Sequence, residues 1–185
     1  MNSVAAVKST DQISAIGLLL DKHGNDTYRD IWQLGINLAL RISDLLNLKY
    51  DDFSGGETIK IIEGKTGKSR IIKLNEKVQA IIKQRRESSP NDDFVFQSKS
   101  NRAKSLNKPL SRIVVARKFA EVGEIIGVHL GTHSMRKTRG YAMWSAGVPL
   151  EVIALVLNHS SPVVTMRYIG LEQADINQTY DDFVL

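Results

Sequence analysis

Two runs of β-branched and apolar residues, 58–63 and 70–74, are joined by Gly64-Lys65-Thr66-Gly67-Lys68, and together they read as a β-hairpin. Most of the other apolar residues recur at helical spacing. A lone hairpin cannot cover a core of any size, so helices must do most of the burying. The predicted fold class is α+β, mostly α-helical, with a small antiparallel β-sheet.

The helices can be placed from their punctuation. Thr10 or Asp11 caps a helix that ends near Lys22, before Gly24. A second starts near Asp26 and carries Ile31, Leu34, Leu38 and Leu45 along one face. Asn75 caps a third, running to about Glu87 and followed by the loop Ser88-Ser89-Pro90-Asn91. Phe94-Val95-Phe96 reads as a short strand and residues 97–109 as an exposed basic loop. Further helices are expected at 110–127, 133–146, 149–157, 162–169 and 171–182. Gly147 and Pro149 mark a stop and a start, and Ser161-Pro162 a cap followed by proline at the first helical position. With 185 residues and no internal repeat, the chain reads as a single domain able to bury a real core.

The absence of cysteine removes disulfides and thiolate metal sites and fits a reducing cytoplasm. No apolar run approaches the roughly 18 residues of a membrane span, and no signal peptide opens the chain. A cytoplasmic protein with no membrane partner is expected. The net charge of +5 is unevenly spread: residues 60–118 hold 16 Lys/Arg against 5 Asp/Glu, while both flanks are acidic. Such a basic block suits contact with a polyanion, and equally suits a solvated surface.

Four short segments carry chemistry. In Ala39-Leu40-Arg41-Ile42-Ser43-Asp44-Leu45, a continuous helix sets Arg41 beside the apolar line with Asp44 three residues on as its partner. Lys65 sits at the hairpin tip, where small neighbours allow close approach to a phosphate, with Lys68 and Arg70 as competitors. His133 and Arg136, three apart, open a helix that Thr132 would cap, and a helix N-terminus favours an anion. His159 precedes Tyr168 by nine residues. Only about one tyrosine in a thousand is ionised at pH 7, so a nucleophilic Tyr168 needs cations or a base nearby. A zinc site at His129 and His133 is disfavoured, since Gly131 lies between them and no Glu follows His129.

Taken in order, Arg41, Lys65, His133-x-x-Arg136, His159 and Tyr168 resemble the catalytic domain of the tyrosine recombinases, the phage integrase family. Ala39-Leu40-Arg41-Ile42-Ser43-Asp44-Leu45-Leu46 resembles that family's first box, and Glu63-Gly64-Lys65-Thr66-Gly67-Lys68 its hairpin lysine segment. His133-Ser134-Met135-Arg136-Lys137-Thr138 and Leu157-Asn158-His159-Ser160-Ser161-Pro162 through Arg167-Tyr168 resemble its second box. Asn158 departs from the pattern, standing where family members often have Gly.

The resemblance implies a site-specific recombinase or integrase that breaks and rejoins DNA through a 3′-phosphotyrosyl link to Tyr168, with no cofactor. It casts Arg41 and Arg136 as holders of the non-bridging oxygens and His133 as the proton acceptor at Tyr168. Lys65 becomes the acid for the leaving 5′-oxygen, His159 a phosphate hydrogen-bonding group and Asp44 a supporting residue. Candidate DNA contacts are Lys68, Arg70, Arg102, Lys104, Lys108 and Arg112. The implied partners are double-stranded DNA and, on it, other copies in a tetramer, with a monomer expected free of DNA. Residues 1–185 would be the catalytic domain alone, without the family's N-terminal core-binding domain, so weak DNA binding is expected. The tail, 171–185, either packs on its own domain or docks on a neighbouring protomer. A silent DNA-binding protein of the same fold and a type IB topoisomerase are the alternatives, with a metal-dependent nuclease third.

Overall fold

The computed structural model describes residues 4–100, 106–171 and 173–184. Helix α1, Thr10–His23, is capped by Ser9, one residue earlier than expected, whose side chain accepts from the Gln12 amide. Helix α2, Asp26–Leu38, is capped by Asn25. It stops where the sequence suggested it would continue. Ala39 adopts a left-handed conformation with φ of 51°, Arg41 is extended, and a short helix α3 follows over Ile42–Leu46. Leu38 and Leu45 are both buried, which is why one helical stripe seemed to pass through them.

A 3-10 turn over Tyr50–Phe53 leads into the hairpin. Strand β1, Thr58–Ile62, pairs antiparallel with β2, Ser69–Lys73, with Ile59 opposite Ile72 and Ile61 opposite Arg70. Ile59 and Ile61 point inward, and the same alternation turns Glu63 inward at the end of the strand. Helix α4, Glu76–Ser88, begins at Asn75 as its sequence indicates. Residues 94–96 form no strand of their own. The Lys49–Phe94 and Gln97–Pro109 pairings are isolated bridges, and Val95 and Phe96 are held in the core instead.

The remaining helices are α5, Arg112–Ile125; α6, Ser134–Ser145; α7, Leu150–Val156; α8, Pro162–Ile169; and α9, Gln173–Asp182. Helix α6 is entered through His133, and Thr132 makes no cap; the Ser134 hydroxyl instead accepts from the Gly131 amide. The main core gathers α1, α2, the hairpin, α4 and α5 around Trp32 and Phe119, whose rings meet edge to face at 5.8 Å. A second cluster of Ala39, Ile153, Leu157 and Ile169 packs α7 and α8 against α6. Gly35 lets α2 lie directly on α6, because a Cβ there would fall on the Met135 sulfur. That close approach sets Arg136 beneath the break at Ala39. Among the described residues, no helix is long and apolar enough to cross a membrane.

Candidate active site

Everything converges on the seam between the two clusters. Arg136 is 2% exposed, and its guanidinium donates to the Ala39 carbonyl at 2.6 Å and to the Leu157 carbonyl. Breaking α2 at Ala39 is what frees that first carbonyl from the helical ladder. The planar fork therefore ties the box around Arg41 to the box around His159, a task an ammonium could not perform.

Arg41 is not paired with Asp44. Because α2 breaks before it, Arg41 projects from extended backbone and its Nη1 lies 2.5 Å from Glu63 Oε2. Asp44 turns to the hairpin instead, where its Oδ1 accepts from the Gly64 amide at 3.1 Å. Glu63 is wholly buried and also binds Arg70, at 2.9 Å through Oε1. Arg70 completes its set with the Val156 carbonyl at 2.6 Å, so this guanidinium faces the interior rather than solvent. Burial alone would raise the Glu63 pKa, but hydrogen bonds from Arg70, Arg41 and Asn158 outweigh it and hold the carboxyl at about 2.

Tyr168 lies over this cationic floor. Its hydroxyl is 3.3 Å from His133 Nδ1, its ring meets the His159 ring at 4.7 Å, and the Lys137 ammonium sits 5.4 Å from its centre. Burial raises the Tyr168 pKa, while the charge and hydrogen bonding of Arg136 and the charge of Arg41 pull it down. The phenol therefore keeps its proton in the free protein. His133 titrates below the ordinary imidazole value, through burial first and then through Arg136, Arg41, Lys137 and Lys65. A neutral imidazole beside a protonated phenol is an arrangement for moving the proton from oxygen to nitrogen.

His159 is lowered further, to about 4, by burial and by the charges of Arg136 and Arg41. Its Nδ1 lies 3.0 Å from Thr165 Oγ1, which leaves Nε2 for a ligand. Lys65 is exposed on the hairpin loop, close enough for its charge to act on His133. Lys68, Lys108 and Arg112 are exposed, whereas Arg102 and Lys104 lie outside the described residues.

The model of the phage integrase family matches residues 10–174. The chain belongs to the phage integrase family. One relative, the probable integrase/recombinase YoeC of Bacillus subtilis (strain 168), is 34% identical over 99% of this chain and 98% of its own length. The tyrosine recombinase XerA of Pyrococcus horikoshii is 27% identical over 77% of this chain. This phage integrase family chain spans only about half of that curated relative, 50%. A crystal structure of XerA recombinase superposes with a TM-score of 0.71 at 20% identity, covering 98% of this chain and 65% of the other. A Tn1549 transposon integrase in complex with circular intermediate DNA gives 0.75 at 15% identity, over 98% and 66%. The fold of this integrase-family chain is thus that of the tyrosine recombinase catalytic domains.

Several contacts of this candidate site escaped the sequence reading: Glu63 as the shared anchor of two arginines, Thr165 behind His159, and Lys137 over Tyr168. Glu63 alone left a signal, since strand alternation points it inward and a buried carboxylate requires cationic partners.

The shifted groups fix a pH profile for stability. The folded His159 pKa, about 4, lies below the ordinary 6.5, so the unfolded chain binds more protons between those values. Stability from this group is complete above pH 6.5 and is lost as pH falls towards 4. Glu63, depressed from 4.5 to about 2, adds a second loss over that lower range. Chemical denaturation from pH 7 to 3 is expected to show a steady decline, with His159→Gln flattening its upper part. An unchanged slope in that variant would refute the assignment to His159.

Proposed function

We propose that this chain is a site-specific DNA recombinase in which Tyr168 forms a transient 3′-phosphotyrosyl bond. The observation that carries this reading is the placement of the Tyr168 hydroxyl 3.3 Å from His133 Nδ1, above Arg136 and beside His159. The Tyr168 oxygen attacks the scissile phosphorus as its proton passes to His133. The bond from phosphorus to the 5′-oxygen breaks, and that oxygen takes a proton from Lys65. Charge building on the non-bridging oxygens is met by Arg41, Arg136 and His159, already in place before substrate arrives. A 5′-hydroxyl from a second duplex reverses the sequence, so no nucleotide cofactor is consumed. Residues 10–174 act here as one catalytic domain.

Double-stranded DNA is the substrate of this reading, and the cytoplasm its place of work. One solved structure of the same fold fits the DNA substrate: XerH site-specific recombinase was crystallised bound to a palindromic difH substrate in a post-cleavage complex. Lys68, Lys108 and Arg112 are the described side chains proposed to meet DNA phosphates. Replacing any one with Ala is expected to weaken binding alike across sequences and to lower the salt dependence of log K by about one unit. A loss confined to one sequence would mean base reading instead.

The test of function is a suicide substrate, a nicked duplex built from DNA flanking the gene, whose cleavage sheds a short fragment and traps the enzyme. A covalent protein–DNA band on denaturing gels is the expected result. No band from a chain that binds the same DNA would overturn the enzymatic reading.

The tail is proposed to dock in trans when copies assemble on DNA as a tetramer. Tyr180, Phe183 and Val184 are exposed, and so are Leu155 on α7 and Val163 on α8, which offer an apolar seat for a neighbour's tail. Light scattering of DNA complexes with and without residues 173–185 tests this, with loss of higher assemblies expected on deletion. Unchanged assembly would refute it.

A further inference from the structure

Asn158 adopts a left-handed conformation, φ 47°, which glycine takes freely and asparagine better than other residues. Backbone shape alone would therefore be served by Gly. The side chain does something glycine cannot. Its amide donates to Glu63 Oε2 at 2.5 Å and to Thr66 Oγ1 at 3.3 Å. The Thr66 hydroxyl in turn donates to the same Glu63 oxygen at 3.1 Å and accepts from the Lys68 amide at 3.4 Å. The three side chains close a ring.

That ring joins two separate parts of the site. Thr66 is in the hairpin loop next to Lys65, and Asn158 is next to His159 and to Leu157, whose carbonyl holds Arg136. On the other side of Lys65, the Gly64 amide is held by Asp44. Both neighbours of Lys65 are therefore tethered while Lys65 itself projects into solvent. A long, flexible ammonium gains directional value only when its backbone is fixed.

We propose that Glu63, Thr66 and Asn158 form a latch that docks the hairpin tip on the His159 segment and so positions Lys65 at the leaving 5′-oxygen. Asn158 and Thr66 are positioning residues that act through Lys65 without touching DNA. The inference rests on the reading of Lys65 as the proton donor.

The test exploits the leaving group. In an ordinary suicide substrate the 5′-oxygen must gain a proton as its bond to phosphorus breaks. In a substrate with sulfur at the bridging 5′ position, a thiolate departs without one. Asn158→Gly preserves the backbone conformation, and Thr66→Val removes the hydroxyl while preserving shape. Each is expected to slow adduct formation on the oxygen substrate by about 10- to 100-fold. Each should run within about twofold of the unaltered protein on the sulfur substrate, and Thr66→Ser should restore the oxygen rate. Equal loss on both substrates, or no loss on oxygen, overturns the latch. Lys65→Ala separates the two layers. If sulfur fails to rescue it, the reading of Lys65 falls and the latch with it. If sulfur rescues Lys65→Ala and leaves Asn158→Gly slow, the latch alone is refuted.

Discussion

Tyr168→Phe is expected to form no covalent adduct with a nicked duplex, yet to bind that duplex with the affinity of the unaltered chain. The phenol oxygen is the nucleophile of the proposed reaction, held 3.3 Å from His133 Nδ1 and within the fields of Arg136 and Arg41. Cleavage should therefore fall by roughly 10⁴-fold or more, to the background of the assay. Binding should survive, because Arg41 is held by Glu63 and Arg136 by the Ala39 and Leu157 carbonyls, so losing the Arg136 hydrogen bond to the phenol leaves both guanidiniums in place. Folding should survive as well, since the hydroxyl's contact with His133 is at a partly exposed position. Gel shift, adduct assay and melting curve together check all three. Adduct formation by the Phe variant would remove Tyr168 from its role. Loss of DNA binding or of folded protein would show that the oxygen is structural. In the unaltered protein the adduct rate should fall on the acid side at a pH below 6.5, because burial and nearby cations lower the His133 pKa.

Glu63→Gln is expected to cost a large part of the stability of the fold. The carboxylate is fully buried, and it is the counter-ion of both Arg41 and Arg70, with Arg136 Nη1 4.0 Å away. Removing one partner of a buried ion pair costs about 3–5 kcal/mol, since the remaining charge is left uncompensated. Two guanidiniums are stranded here, so the upper part of that range is expected. Glutamine also carries one acceptor oxygen where the carboxylate offers two, and its amide would face a cation. Urea denaturation measures the loss, and a change below about 1 kcal/mol would mean that Arg41 and Arg70 find other partners. Where folded protein remains, Arg41 is released from its anchor, and adduct formation should fall even at saturating DNA.

Much of the machinery was legible in the chain itself. Helical periodicity, the caps at Asn75 and Ser161-Pro162 and the glycine-framed hairpin are local signals, and the structure follows them within a residue or two. The order of Arg41, Lys65, His133, Arg136, His159 and Tyr168 was equally visible, and the proposed reaction accounts for those residue types. The break at Ala39 was not visible. No glycine or proline marks it, and alanine, the best helix former, signals continuation rather than a left-handed turn. The turn persists in company with Arg136, 97 residues away, which takes the carbonyl it exposes. The choice of Glu63 over Asp44 as the anchor of Arg41 follows from that same turn, since a continuous helix would have set Arg41 and Asp44 on one face. Residue types and their local conformations are properties of short stretches of sequence, so they can be read there. Which buried charge meets which partner depends on desolvation and on elements far apart in the chain, and only their packing together decides it.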